Sequence, residues 1–378
     1  MKRLIGVILA LCLFRLTVPA AMVQAAVPEV SAQAWILTEA ATGQVLCEQN
    51  AREKRPMAST TKIMTTLLTI EHGDLDTEFC VDPDAIRVEG SSMGLQEGDI
   101  VTLRALCYGM LLPSGNDAAN AAAVRIAGSI PDFAVRMNAR AKEIGMQNTF
   151  FVTPSGLEGE GHGASAYDMA LLTREAMRSE TFRSMCCEQA KTLRFGNPPY
   201  ERTLYNSNKL LKLYDGVIGV KTGFTDEAGR CLVSACERDG VTLICVTLHA
   251  ADDWNDHMRL YDYGFSRIRP AVLPAPALPA VPVAGGVQEK TAVQPAESVT
   301  IGAPDGIPSG IRTAVRRAPF AYAPVCEGDV LGALVYYYQE REIASVPLIA
   351  AENVPARPAE HPKKHIWERL WKPARRTS

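Results

Sequence analysis

Between Pro56 and Leu68 the chain reads Pro-Met-Ala-Ser-Thr-Thr-Lys-Ile-Met-Thr-Thr-Leu-Leu, an apolar helical pattern with a lysine near its start. Ile63, Met64, Leu67, Leu68 and Ile70 supply a surface that sinks this helix into a core. Ser59 and Lys62 are three residues apart and share one helical face, so hydroxyl and amine can meet. A fold built on this helix has to bury a lysine, and burial favours the neutral amine. A neutral amine beside a serine can take its proton and make it a nucleophile. Lowering a lysine from about 10.4 to about 7 means disfavouring the cation by roughly 4–5 kcal/mol, which a dry site with a second cation can supply. Alone, Ser-x-x-Lys is a weak signal, because a chain of 378 residues carries about one by chance.

That length exceeds one average domain, so two domains plus extras are expected. A net charge of −3 argues against nucleic-acid binding driven by bulk positive charge. Lys2-Arg3, an apolar run from Leu4 to Phe14, then Pro19 and small residues up to Val23-Gln24-Ala25 read as a secretory signal over residues 1–25. The run is short for a bilayer span, and Arg15 interrupts it. Cys12 lies inside that signal. The cysteines after it are odd in number and irregular in spacing, which is no disulfide framework. Cys107, Cys231 and Cys245 read as small core residues, and pairing stays open. No Cys-x-x-Cys or His-x-x-x-His pattern points to zinc.

Ala34 to Ala51 reads as a hairpin turning at Ala41-Thr42-Gly43. Gly90-Ser91-Ser92-Met93-Gly94 matches Gly-x-Ser-x-Gly formally, but it sits in a polar loop rather than between a strand and a helix. Helices are expected over Leu103–Leu112, from Ala118, over Phe133–Ile144 and over Ala166–Ser179. Val217–Thr225, Arg230–Cys236 and Val241–Leu248 are strand-like, and Trp254–Ile268 returns to helical spacing. Strands at both ends with helices between predict one sheet flanked by helices. Residues 270–286 are rich in Pro and Ala and read as a linker, and Val281 to Ala351 as a small all-β domain. The tail, 353–378, carries seven Lys or Arg against two Glu, with Ile366, Trp367, Leu370 and Trp371 on one helical face. That is the composition of an interfacial membrane anchor.

Ser59-Thr60-Thr61-Lys62, Ser114-Gly115-Asn116 and Lys221-Thr222-Gly223 follow one another in this order. The set resembles the S-x-x-K, S-D-N and K-T-G motifs of penicillin-binding proteins and class A β-lactamases, with Gly115 in place of Asp. Ser-Gly-Asn-Asp-Ala-Ala at 114–119, Gly219 to Thr225, and Ala228-Gly229 resemble the low-molecular-mass D-alanyl-D-alanine carboxypeptidases, and the likeness holds over about residues 30–268. The resemblance implies an α/β fold over 26–269, with a β-lactamase-like antiparallel sheet flanked by helices. A β-sandwich would follow within 270–352, and a membrane-docking tail over 353–378.

The resemblance also implies roles. Ser59 attacks the carbonyl between the terminal D-alanines of a peptidoglycan pentapeptide, and Lys62 takes its proton. Ser114 relays a proton to the leaving amine, and Asn116 binds Lys62 and the substrate amide. Lys221 supplies a second positive charge for the substrate carboxylate, which Thr222 also binds. Gly223 lets the substrate lie along the strand edge, and the N–H groups of Ser59 and Phe224 form the oxyanion hole. β-Lactams would acylate the same serine, and no metal or cofactor is needed. The enzyme would be exported and held at the outer face of the cytoplasmic membrane. His162, in the Gly-rich 153–165 loop, reads as a solvated loop histidine, and Asn206 and Asn208 as structural hydrogen-bonders. No context supports a triad through His72, His249 or His257. The rival readings are a β-lactamase, a D,D-endopeptidase and a non-catalytic wall scaffold. The first lacks a Glu-x-x-Leu-Asn segment between the second and third motifs, and intact Ser59, Lys62 and Lys221 argue against the last.

Overall fold

The computed structural model describes residues 26–304 and 306–358, so the signal read at 1–25 and the amphipathic stretch from 359 onward lie outside the described residues. Two compact units form. One takes the described residues up to Thr38, Val45–Cys236 and Ile244–Arg267, and the other Glu39–Gln44, Glu237–Leu243 and those from Ile268 on. The second unit therefore includes two turns that the sequence places within the first domain. Among the described residues no helix is long and apolar enough to cross a membrane.

The first unit opens with the expected hairpin, β1 (Ala34–Glu39) and β2 (Val45–Gln49), paired antiparallel. A single 3-10 turn, Ala58–Thr61, then leads into α1 (Lys62–His72). The short pair β3 (Glu78–Cys80) and β4 (Ile100–Thr102) precedes five helices. These are α2 (Leu103–Leu111), α3 (Asn116–Ala127), α4 (Ile130–Ile144), α5 (Ala166–Ala176) and α6 (Glu180–Cys186). Side chains of Thr102, Ser129, Ser165 and Ser179 cap α2, α4, α5 and α6 by accepting a backbone N–H. A hairpin absent from the sequence reading follows, β5 (Ala190–Gly196) with β6 (Pro199–Tyr205). The short α7 (Leu210–Leu213) comes before β7 (Val217–Thr225), β8 (Gly229–Arg238), β9 (Val241–Ala250) and α8 (Asp253–Arg267).

The main sheet has the order β2-β1-β9-β8-β7, so β7 is an edge strand. α1 packs against α2, α3 and α5 and is buried on nearly every side. Ile63, Met64 and Leu67 are buried as expected, whereas Leu68 and Ile70 are half-buried. Thr65, Thr66 and Thr69 are buried too, and Thr65 and Thr69 hide their hydroxyls on carbonyls of Pro154 and Thr65. The alanines of α3, Ala118, Ala119 and Ala121 to Ala123, let its neighbours approach closely.

The second unit is all β. β10 (Arg269–Val272) pairs with β14 (Thr300–Ala303), and β11 (Val281–Ala284) lies between β12 (Lys290–Thr291) and β16 (Ala321–Tyr322). β13 (Val293–Pro295), β18 (Arg341–Ala350), β17 (Val330–Tyr338) and β15 (Arg312–Arg317) make a four-stranded sheet. Leu273, Ile301, Leu334, Tyr336 and Leu348 form its main core. The stretch read as a linker is therefore structured, because β10, Leu273 and β11 belong to this unit. Its end also lies later than 352, since Val354 is buried and bridges Val325, and Ala356 bridges Gly286. None of the nine described cysteines is in a disulfide, and Cys107, Cys231 and Cys245 are core residues.

Candidate active site

Ser59 and Lys62 meet as their spacing requires. The 3-10 turn is tied by its own threonines, with the Thr60 hydroxyl donating to Met57 O (2.6 Å) and Thr61 to Ala58 O (2.8 Å). Lys62 Nζ, fully buried, lies 2.7 Å from Ser59 Oγ, 2.7 Å from Asn116 Oδ1 and 2.6 Å from Ser155 O. Asn116 Nδ2 donates to Glu89 O (2.7 Å), which turns its oxygen towards the lysine. An amide oxygen and a backbone carbonyl only accept. When the amine is neutral, its two hydrogens go to Asn116 and Ser155, which leaves the lone pair for the Ser59 hydroxyl. A neutral amine held in this way can act as a general base.

The second motif stands between α2 and α3. Ser114 has φ +69°, a left-handed conformation that is costly without glycine, and is nearly buried. Asp117, which the sequence reading passed over, fastens the Gly90–Gly94 loop to the start of α3. It accepts from Ser92 Oγ and from the N–H groups of Met93, Gly94 and Leu95. Ser92 thus has a structural partner, in keeping with the dismissal of the Gly-x-Ser-x-Gly match.

The third motif lies on β7 against the nucleophile turn. A Cβ at Gly223 would come within 3.1 Å of Met57 O, Ser59 N and Thr60 N, so any larger residue there would crowd the backbone of the nucleophile turn. Phe224 follows with its side chain exposed. Lys221 is fully buried, and its Nζ donates to Thr222 O at 2.9 Å. Thr222 Oγ1 lies 2.7 Å from Ser207 Oγ. Ser207 was also missed by the sequence reading. Its only signal was the place beside Asn206 and Asn208, which do make structural bonds: Asn206 Nδ2 donates to Cys186 O and Glu188 O, and Asn208 Oδ1 accepts from Leu210 N.

Burial, and then the charge of Lys221, hold the Lys62 amine well below the usual lysine range, and Asp117 opposes them. Lys221 is itself pushed down to about 7 by burial.

His162 also departs from expectation. It is half-buried, its Nδ1 accepts from Val152 N (2.9 Å), and its Nε2 lies 3.0 Å from Thr61 Oγ1. His257 touches Ser234 Oγ (2.6 Å) and Thr247 Oγ1 (3.0 Å), but all three are completely buried, so no substrate reaches that pair.

Residues 21–252 match the family model described as D-alanyl-D-alanine carboxypeptidase, and residues 277–356 the one described as penicillin-binding protein 5, C-terminal domain. The D-alanyl-D-alanine carboxypeptidase DacF of Bacillus subtilis is 32% identical over 334 residues, 85% of this chain and 86% of its own. DacC of Escherichia coli, of the same description, is 34% identical over 370 residues, covering 91% and 89%. Among solved structures, penicillin binding protein 5 from Haemophilus influenzae aligns with a TM-score of 0.62 at 26% identity, over 88% of this chain and 99% of that one. The carboxypeptidase DacD from Francisella tularensis aligns with a TM-score of 0.60 at 28% identity, over 88% and 95%.

Proposed function

This chain belongs to the D-alanyl-D-alanine carboxypeptidase family, and from that premise we propose that it removes the terminal D-alanine of peptidoglycan stem pentapeptides through an acyl-enzyme on Ser59. The observation that carries this reading is the three-point hold on Lys62, in which Asn116 and Ser155 take the hydrogens of a neutral amine and leave its lone pair for Ser59 Oγ.

Ser59 Oγ attacks the carbonyl carbon of the last peptide bond as Lys62 Nζ takes its proton. The oxyanion forms beside the N–H groups of Ser59 and Phe224, where Gly223 allows the close approach. The C–N bond breaks, and the proton passes from Lys62 by way of Ser114 to the amine of D-alanine, which leaves. Water then attacks the ester and frees Ser59. Lys221 and Thr222 hold the substrate's carboxylate, and the open edge of β7 pairs with its backbone. β-Lactams acylate the same oxygen.

A labelled penicillin is expected to mark the protein, and Ser59→Ala to abolish the mark. Free D-alanine released from a pentapeptide, with cross-linked dimers left whole, supports the carboxypeptidase. Cleavage of the dimers instead would point to an endopeptidase. We also place the enzyme at the cell envelope, exported through residues 1–25 and docked on the membrane by its basic, Trp-containing end. Deleting 359–378 should release it, and retention on membranes refutes the anchor.

A further inference from the structure

We propose that His162 is a positioning residue for the nucleophile. It clips the loop from Val152 to His162 onto the turn carrying Ser59, and so holds the Ser155 carbonyl against the Lys62 amine. The proposal rests on the reading of Ser59 and Lys62 as nucleophile and base.

The hydrogen bonds run in one direction. Val152 N–H donates to Nδ1, which puts the ring's proton on Nε2. Nε2–H then donates to Thr61 Oγ1, whose own hydrogen goes to Ala58 O. The loop is thereby joined, through one neutral imidazole, to the residue before the nucleophile. Ala58 has φ +48°, a left-handed conformation unfavourable for a residue other than glycine, so the turn needs outside support.

The loop presses on the same carbonyl from a second point. Gly156 has φ +89°, and a Cβ there would lie 2.0 Å from Ala58 O and 2.9 Å from Thr61 Oγ1. Between these points Thr153 Oγ1 accepts from Gly156 N and donates to Leu157 O, closing a tight turn. That turn delivers two carbonyls to α1, Pro154 O to Thr65 Oγ1 and Ser155 O to Lys62 Nζ, both at 2.6 Å. Ser155 O is one of the two acceptors that orient the lone pair of Lys62. Its place depends on how firmly the loop is closed.

Lys54 and Glu158 face the imidazole, and Arg55, Glu160 and Glu227 line the cavity of about 630 Å³ beside it. The edge of Phe151 also packs on the ring. Burial and Lys54 push His162 down to about 4, with Glu158 opposing, so the ring is neutral at neutral pH and Nδ1 stays an acceptor. Lys221 and Asp117 are the charges acting on Lys62 itself.

The test is the rate constant of acylation by a labelled penicillin at saturation, with its reversible affinity, followed against pH. It compares wild type, His162→Ala, His162→Gln, Thr61→Val and the His162→Ala/Thr61→Val double variant. His162→Ala should slow acylation about tenfold with affinity nearly unchanged, as expected for a misplaced reacting group. Its ascending pH limb should move up, because a loosened loop lets water reach Lys62 and restores the cation. Thr61→Val should show a similar loss, and the double variant should be no slower than the slower single. His162→Gln keeps an N–H for Thr61 and should recover part of the rate. If His162→Ala does not fold, the Gln and Val variants still decide. Unchanged rate and pH limb, or losses that multiply in the double variant, overturn the proposal. A wild type that takes no label, or a Ser59→Ala variant that still does, refutes the reading of Ser59 instead.

Discussion

Lys221 drives protons away from Lys62, yet Lys221 is as deeply buried as the group it acts on. Burial therefore disfavours charge on both amines, and the proposed mechanism needs the proton on Lys221 and not on Lys62.

The pH profile should show this division. Neutral Lys62 is required, so kcat/KM rises as pH climbs through its lowered pKa. Protonated Lys221 is required to hold the substrate's carboxylate, so kcat/KM falls as pH rises past about 7. A bound carboxylate favours the Lys221 cation, so the descending limb of kcat should lie at higher pH than that of kcat/KM. Steady-state rates on a pentapeptide across pH test this, and a profile that stays flat through neutral pH refutes it.

Lys221→Met should inactivate the enzyme and stabilise the fold. The folded-state pKa of Lys221 is depressed from its ordinary 10.5 to about 7, so unfolded chains bind more protons between those values. Stability is therefore reduced at and below pH 7 and recovers as pH rises towards 10.5. At pH 7 the substitution should gain up to about 4 kcal/mol, with the gap closing in alkali. Thermal unfolding of both proteins at neutral and alkaline pH gives the comparison.

Asn116→Asp should cost about a hundredfold in acylation at pH 7. It places a carboxylate beside Lys62 Nζ, favouring the cation and raising the pKa that Asn116 leaves low. The loss should shrink as pH increases, which a mere disruption of shape would not do. Penicillin acylation rates against pH separate the two.

Ser207→Ala should act on recognition. Its hydroxyl lies 2.7 Å from that of Thr222, and its N–H donates to Leu112 O, two residues ahead of Ser114. KM for a peptide ending in D-alanine should rise about fivefold, ~1 kcal/mol, with kcat little changed. A peptide ending in D-alanine amide should not distinguish the variant from wild type, since the group in question is the free carboxylate.

Covalent periodicity made the Ser59–Lys62 pair legible, because a three-residue step on a helix leaves little freedom. The three motifs supply the rest of the proposed catalytic outline. Ser155 was illegible for a plain reason: it serves through its backbone carbonyl, which any residue carries. His162 was misread because a Gly-rich loop looks solvated until its fold brings Thr61 and Val152 to the ring. The β5–β6 hairpin escaped notice since only Phe195, Gly196 and Leu204 of its two strands are buried, so alternation was faint. Conversely, the Pro- and Ala-rich stretch read as a linker holds Leu273 in a core, where pairing of β10 with β14 overrides composition.

Sinking Lys62 into the interior also shapes what happens after the first bond forms. A proton that arrives there finds itself unwelcome, with little water to spread its charge and a second amine close by. In the proposed mechanism it is passed on readily, by way of Ser114, to the nitrogen of the departing D-alanine. In that scheme one hidden side chain thus takes the proton from Ser59 and, holding it weakly, hands it on during the second half of acylation.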